Sequence, residues 1–145
     1  MPIEFREFTP ADYDAAVALW TETEGIVLRD VDARGPLLEY LARNRGLSMV
    51  AMDNGAVVGA VLCGTDGRRG YLHHLAVAGS HRRRGVGRAL ADRCLSSLSE
   101  RGIDKCHIMV FPTNTPARAF WQRLGWQERA DVLVMSHLKS GHTTA

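Results

Sequence analysis

Tyr71-Leu72-His73-His74-Leu75-Ala76-Val77, followed seven residues later by Gly85-Val86-Gly87-Arg88-Ala89-Leu90, is the stretch of this 145-residue chain that decides its fold. The first segment reads as a strand. The second opens a helix whose apolar residues Val86, Leu90, Cys94 and Leu98 fall four apart on one face, and Gly102 ends it. Between them runs a basic loop containing Arg82, Arg83 and Arg84, with Arg88 just beyond. The first turn of a helix has N–H groups without partners and carries partial positive charge, so it suits an anion. Glycine removes the Cβ atoms that would hold a phosphate off the backbone. The four arginines add charge-assisted hydrogen bonds. The chemistry indicated is binding of a pyrophosphate.

Two familiar pyrophosphate sites fit poorly. A P-loop needs GxxxxGK[ST], and neither lysine nor hydroxyl follows Gly87. A dinucleotide-binding turn needs a small third residue where Leu90 stands, and a tight turn straight from the strand. A bare loop with solvated arginines is the plainer alternative for the glycine turn taken alone.

Working outward, residues 3–8 read as a first strand. Thr9-Pro10 supplies an N-cap and first helical position for a helix reaching about residue 22, with Tyr13, Ala16, Val17 and Trp20 at helical spacing. Residues 25–33 read as a loop, and residues 32–45 as a second helix carrying Leu37, Leu38 and Leu41. Two apolar runs, 47–52 and 56–63, are split by Asp53-Asn54-Gly55, a hairpin signal. Residues 105–111 read as a buried strand closed by Pro112. Thr115-Pro116 repeats the cap pattern for a helix ending near Leu124-Gly125, and residues 126–137 read as a final strand pair. The order β-α-α-β-β-β-α-β-α-β-β implies a mixed sheet with helices on its faces, the α/β (α+β) class, in one domain over residues 1–140 with a polar tail at 141–145.

Composition sets the limits. Hydrophobic residues at 46% and charged residues at 23% are ordinary for a globular protein, and a formal net charge of +2 implies no nucleic-acid or membrane partner. Cys63, Cys94 and Cys106 are scattered without a CxxC pair, against a disulfide framework or zinc site and in keeping with a reducing cytosol. No apolar run approaches the roughly 18 residues of a membrane span, and no signal peptide is visible. A cytoplasmic setting is the expectation.

Arg82-Arg83-Arg84-Gly85-Val86-Gly87 matches the [Q/R]-x-x-G-x-[G/A] signature, and the chain thereby resembles the GNAT superfamily of N-acetyltransferases. The preceding Leu75-Ala76-Val77, the later Asn114-x-x-Ala117-x-x-Phe120-Trp121-x-x-x-Gly125-Trp126 and the element order from residue 3 to about 138 extend the resemblance. It implies a mixed, mostly antiparallel sheet of six to seven strands flanked by about four helices, and acetyl-coenzyme A as acyl donor. The pyrophosphate would sit on Arg82, Arg83, Arg84, Gly85, Val86, Gly87, Arg88 and Ala89. The pantetheine arm would pair with the backbone of Leu75, Ala76 and Val77, with Asn114 and Trp121 beside it. A backbone N–H near residues 75–77 would polarise the acetyl carbonyl.

The resemblance further implies direct attack by a primary amine, and a lysine-like ammonium, pKa near ~10.4, must first lose a proton. His73 and His74 are candidate bases. Alternation along a strand would let at most one face the cleft. Two histidines bonded within the fold are the alternative. Glu22 and Glu24, at the end of the first helix, are candidates for contacting the amine, with a solvated helix end as the plainer reading. Trp121 stands where the family usually has a tyrosine that protonates the departing thiolate, and an indole cannot take that role. The thiolate leaves unprotonated or draws on water, thiols having pKa values near ~8.5.

The acceptor is a small-molecule or peptide amine. Glu22, Glu24, Asp30 and Asp32, opposed by Arg29 and Arg34, favour a cationic one without choosing among peptide N-termini, lysine, polyamines and amino sugars. A non-catalytic acyl-coenzyme A sensor is the second reading. A nucleic-acid module built on residues 81–84 is the third, and the lack of interleaved aromatics counts against it. The apolar run Val132-Leu133-Val134-Met135 suits either a dimer contact or a hairpin buried within one subunit.

Overall fold

The computed structural model describes residues 2–141, so most of the expected tail at 141–145 lies outside the described residues. Contacts divide the chain into two compact units, Met1–Phe111 and Pro112–Ala145.

The first unit is built on five strands in sequence order: β1 (Glu4–Glu7), β2 (Met49–Asp53), β3 (Ala56–Thr65), β4 (Gly70–Val77) and β5 (Cys106–His107). The first three pairings are antiparallel and β4–β5 is parallel. Helices α1 (Tyr13–Glu22) and α2 (Arg34–Arg43) follow β1, and α3 (Val86–Glu100) joins β4 to β5. The hairpin forms where Asp53-Asn54-Gly55 indicates it. Asn54 and Gly55 have φ of 50° and 79°, the left-handed pair that a two-residue turn requires.

β3 is buried on both faces, which explains its nearly unbroken apolar run. Phe8, Ala16, Trp20, Leu37, Leu41, Val50, Ala60, Leu62 and Ala76 form one cluster under α1 and α2. On the opposite face α3 lays down Val86, Leu90, Cys94 and Leu98, all buried as the four-residue spacing predicts. Gly59 permits the close approach: a Cβ there would lie 3.0 Å from Leu90 Cδ1 and 3.2 Å from Val86 Cγ1. Burial of a leucine such as Leu90 contributes about 1.5–3 kcal/mol, so this contact fixes where α3 begins.

Several expectations are corrected. Among the described residues the sheet has five strands instead of six to seven. The strand expected over residues 105–111 shortens to Cys106–His107, and Met109 and Phe111 are exposed. Its partner β4 is bulged at His74 and Leu75, which together oppose Val61, and the ladder with β5 stops ahead of that bulge. The second helix starts at Arg34, because Asp30–Asp32 forms a separate short 3₁₀ turn. Thr9 is an N-cap as expected, but the turn it caps is the short 3₁₀ helix Pro10–Asp12 that leads into α1.

In the second unit, α4 spans Thr115–Arg123. Its N-cap is Asn114, whose Oδ1 accepts from the Ala117 N–H at 3.2 Å, and not Thr115 as the Thr-Pro pattern suggests. Arg118 pairs with Glu128 at 2.7 Å, and Trp126 packs on Trp121 with ring centroids 4.8 Å apart. The final strand pair expected over residues 126–137 is absent from the described residues. An alternating apolar run becomes a strand only where an edge accepts its backbone. Residues 132–138 pair with none, and Leu133 and Met135 are 89% and 90% exposed.

Gly64 on β3 faces Tyr40 on α2, and a Cβ there would come within 2.8 Å of Tyr40 Cζ and closer still to its hydroxyl. Gly64→Ala therefore lowers stability by about 1–3 kcal/mol in denaturant unfolding. Gly35→Ala, where a Cβ meets nothing within 4 Å, leaves stability equal or higher. Equal midpoints for wild type and Gly64→Ala would contradict this packing.

Candidate functional site

The loop after β4 is shaped by two left-handed residues. Arg83 has φ of 63° and Gly85 has φ of 77°, with Arg84 between them. For arginine that conformation costs roughly 1–2 kcal/mol, whereas glycine adopts it freely. Left-handed residues alternating with ordinary ones turn successive N–H groups toward one side, forming a concavity for an anion.

Gly85 is the N-cap of α3, and the first bond of the helix runs from Ala89 N to Gly85 O at 3.0 Å. The N–H groups of Val86, Gly87 and Arg88 precede that bond, and no side chain caps them. Nothing lies within 4 Å of the Cβ position of Gly85. Arg82, Arg83, Arg84 and Arg88 are exposed around this point. Arg82 Nε donates to Val77 O at 3.1 Å, tying the loop to the end of β4. Val86 is buried against the core and Ala89 is half-buried beside it. These residues fit a pyrophosphate in backbone geometry and in charge.

Two residues that sequence reasoning passed over hold the loop in place. His81 Nε2 and Asp53 Oδ2 are 2.7 Å apart, and Ser80 Oγ lies 2.7 Å from His81 Nδ1. The loop is thereby fastened to the β2–β3 hairpin. The His81 contact holds the Asp53 carboxyl below its ordinary value. No local pattern marks this pair, since the two residues meet only through the fold.

β4 pairs with β5 at Gly70 and Tyr71 alone. Beyond Tyr71 that edge, including Leu75, Ala76 and Val77, carries no strand among the described residues. An extended ligand arm can add to such an edge through backbone hydrogen bonds.

The bulge also overturns the alternation expected of the two histidines. His74 has φ of 55°, and both His73 and His74 line one cavity of about 520 Å³. Val27, Val31, Pro36, Leu37 and Leu62 make its walls largely apolar. Arg29, Asp32, Glu39, Tyr40 and Arg43 supply its polar groups. Burial lowers the basicity of His73, with the neighbouring His74 acting in the same direction and Asp32 against it. Burial also pushes the Tyr40 phenol up, so it stays neutral. His74 Nε2 lies 3.0 Å from Asp32 Oδ1. Asp32 entered the sequence reading only as part of an acidic stretch, yet it is buried and bonded to His74 across 42 residues of chain.

Glu22 and Glu24 are not brought to this cavity. Glu22 lines a separate cavity of about 540 Å³ with Arg6, Asp12 and Met52, and Glu24 lines neither. Asn114 and Trp121 belong to the second unit. Asn114 Oδ1 is committed to its cap, and Trp121 packs against Phe120 and Trp126. Among the described residues no group of three or more His, Cys, Asp or Glu could hold a metal ion, and no helix is long and apolar enough to cross a membrane.

Residues 11–126 match the model of the acetyltransferase (GNAT) family. Acetyltransferase ECA0875 of Pectobacterium atrosepticum is 32% identical over 134 residues, covering 92% of this chain and 93% of the relative. Ard1 from Thermoplasma volcanium superposes with a TM-score of 0.77 at 23% identity, over 90% of this chain and 86% of that one. The PaiA N-acetyltransferase from Thermoplasma acidophilum, solved in complex with coenzyme A, superposes with a TM-score of 0.74 at 16% identity, over 85% and 88% of the two chains. With four-fifths of its length inside the family model and a relative matched nearly end to end, the chain belongs to the acetyltransferase (GNAT) family.

Proposed function

We propose that the protein transfers the acetyl group of acetyl-coenzyme A to a primary amine by direct attack on the thioester. One observation carries the reading: an unpaired length of β4 is followed, after the short 3₁₀ turn Gly79–His81, by a left-handed loop and a helix start whose first N–H groups are unclaimed among the described residues. The pyrophosphate is assigned to Arg82, Arg83, Arg84, Gly85, Val86, Gly87, Arg88 and Ala89, and the arm to the backbone of Leu75, Ala76 and Val77. A donor N–H from those last residues stabilises the charge that develops on the acetyl oxygen. The acceptor enters from the cavity lined by His73 and His74, which lie on the same strand.

The cavity modifies the acceptor expected from the sequence. Glu39 is bonded to Arg43 at 2.9 Å, Asp32 to His74, and Asp30 is exposed outside the lining. No carboxylate stands free there to select a polycation, and the walls are apolar. An amine carried on a compact, partly apolar body, such as a peptide N-terminus, suits it better than a polyamine. Three free cysteines fit a reducing cytosolic setting. The exposed apolar run at residues 132–135 supports a homodimer formed through it.

Acetyl-coenzyme A raises the thermal midpoint of the wild type, because a ligand bound only by the folded state stabilises it. Gly87→Glu, which sets a carboxylate at the pyrophosphate position, abolishes the shift. Thiol release follows when a tetrapeptide with a free N-terminus, Nα-acetyl-lysine, spermidine or an aminoglycoside is added, and is fastest with the tetrapeptide. A shift without thiol release from any of them would favour the sensor reading. No shift at millimolar ligand would sink the assignment.

Asp53→Asn leaves the fold intact but weakens acetyl-coenzyme A binding severalfold in titration calorimetry, since the loop loses its charged anchor. The sign with pH follows from the lowered Asp53 value. The contribution is complete above the ordinary carboxylate pKa and disappears as pH falls through the lowered one. Equal affinities for wild type and Asp53→Asn at neutral pH would contradict the anchoring role.

A further inference from the structure

Resting on the acetyl-transfer reading, we propose that His74 accepts the proton from the attacking amine and that Asp32 is the residue that positions it. Asp32 is held on three sides. Its Oδ2 accepts from the Arg29 N–H at 2.9 Å, its backbone carbonyl accepts from the Tyr13 hydroxyl at 2.7 Å, and its Oδ1 faces His74 Nε2 at 3.0 Å. The side chain is buried to 7% exposure. A carboxylate so fixed can only accept, so Nε2 carries the hydrogen and Nδ1 keeps the lone pair. Nδ1 has no partner among the described residues.

The backbone is bent to present this ring. His74 occupies the left-handed region inside a strand, a conformation that persists in a non-glycine residue only where its surroundings enforce it. Trp20 of α1 supports the ring, with centroids 5.2 Å apart. From β4 comes His73, whose burial disfavours its charged form. From α2 come the neutral Tyr40 and the mutually paired Glu39 and Arg43. From the segment before α2 come Arg29 and Asp32 itself. Among the described residues Asp32 is thus the carboxylate bonded to His74, and it fixes which ring nitrogen faces away from it.

The step balances. The acceptor ammonium yields one proton to His74 Nδ1, and the freed nitrogen lone pair forms the bond to the acetyl carbon. The carbon–sulfur bond breaks with its electron pair on sulfur. The second amine proton passes through water to the thiolate, and His74 returns its proton to solvent.

Asp32→Asn separates positioning from structure. The amide oxygen can keep the bond from Arg29 N–H, which turns the amide NH2 toward His74 Nε2. The ring then takes the opposite tautomer and Nδ1 loses its lone pair. The expected result is unchanged stabilisation by acetyl-coenzyme A, turnover of the tetrapeptide probe reduced about a hundredfold or more, and loss of the ionisation in its kcat/KM–pH profile. Imidazole nitrogen resonances of histidine-labelled wild type at pH 8 report His74 protonated on Nε2, and in Asp32→Asn on Nδ1. Turnover of Asp32→Asn within twofold of wild type overturns the proposal. So does a wild-type His74 protonated on Nδ1, a measurement that needs neither the variant nor an acceptor. If the wild type turns over no amine, the acetyl-transfer reading fails separately, and the His74 tautomer still decides whether Asp32 sets the ring.

Discussion

The unclaimed N–H groups at the start of α3 are the constraint on which the rest of the molecule depends. Val86, Gly87 and Arg88 have no intrahelical partner, and no side chain substitutes for one. A helix start left in that condition is useful only if it is held rigid and aimed. The aim is fixed by packing, since Val86 and Leu90 close onto the sheet where Gly59 has no side chain. The rigidity comes from the loop before it. The His81–Asp53 contact ties that loop to one hairpin, and the Arg82–Val77 bond ties it to the end of β4. Strain in Arg83 is tolerable because both ends of the segment are anchored.

A second departure from regular structure lies one strand length away. The ladder with β5 stops at Tyr71, and the bulge at His74 and Leu75 brings two consecutive histidines to one cavity. This stretch of β4 therefore combines an edge unpaired beyond Tyr71 among the described residues with two histidines lining one cavity.

The glycine turn, the hairpin and the α3 face were legible in the sequence because each depends on neighbours in the chain. Asn54-Gly55 needs its own left-handed backbone, and the residues four apart on α3 need one buried face. What escaped depends on distant residues. Alternation separated His73 from His74, and only the register slip between β3 and β4 brings them to one side. Asp32 reads as part of an acidic stretch and Asp53 as part of a hairpin turn, and their histidine partners lie 42 and 28 residues away. The run at residues 132–135 has strand composition but no edge to join among the described residues. The Asn114 side-chain oxygen caps α4, a contact that the Thr115-Pro116 pattern does not mark.

The most direct test of the account is a backbone amide correlation spectrum of the isotope-labelled protein during titration with acetyl-coenzyme A. The account predicts the largest shifts in two separate stretches, residues 83–88 and residues 74–77, moving together with one affinity. It also predicts that free pyrophosphate moves only the first stretch. Shifts confined to other parts of the protein, or a spectrum unchanged at millimolar ligand, would contradict it.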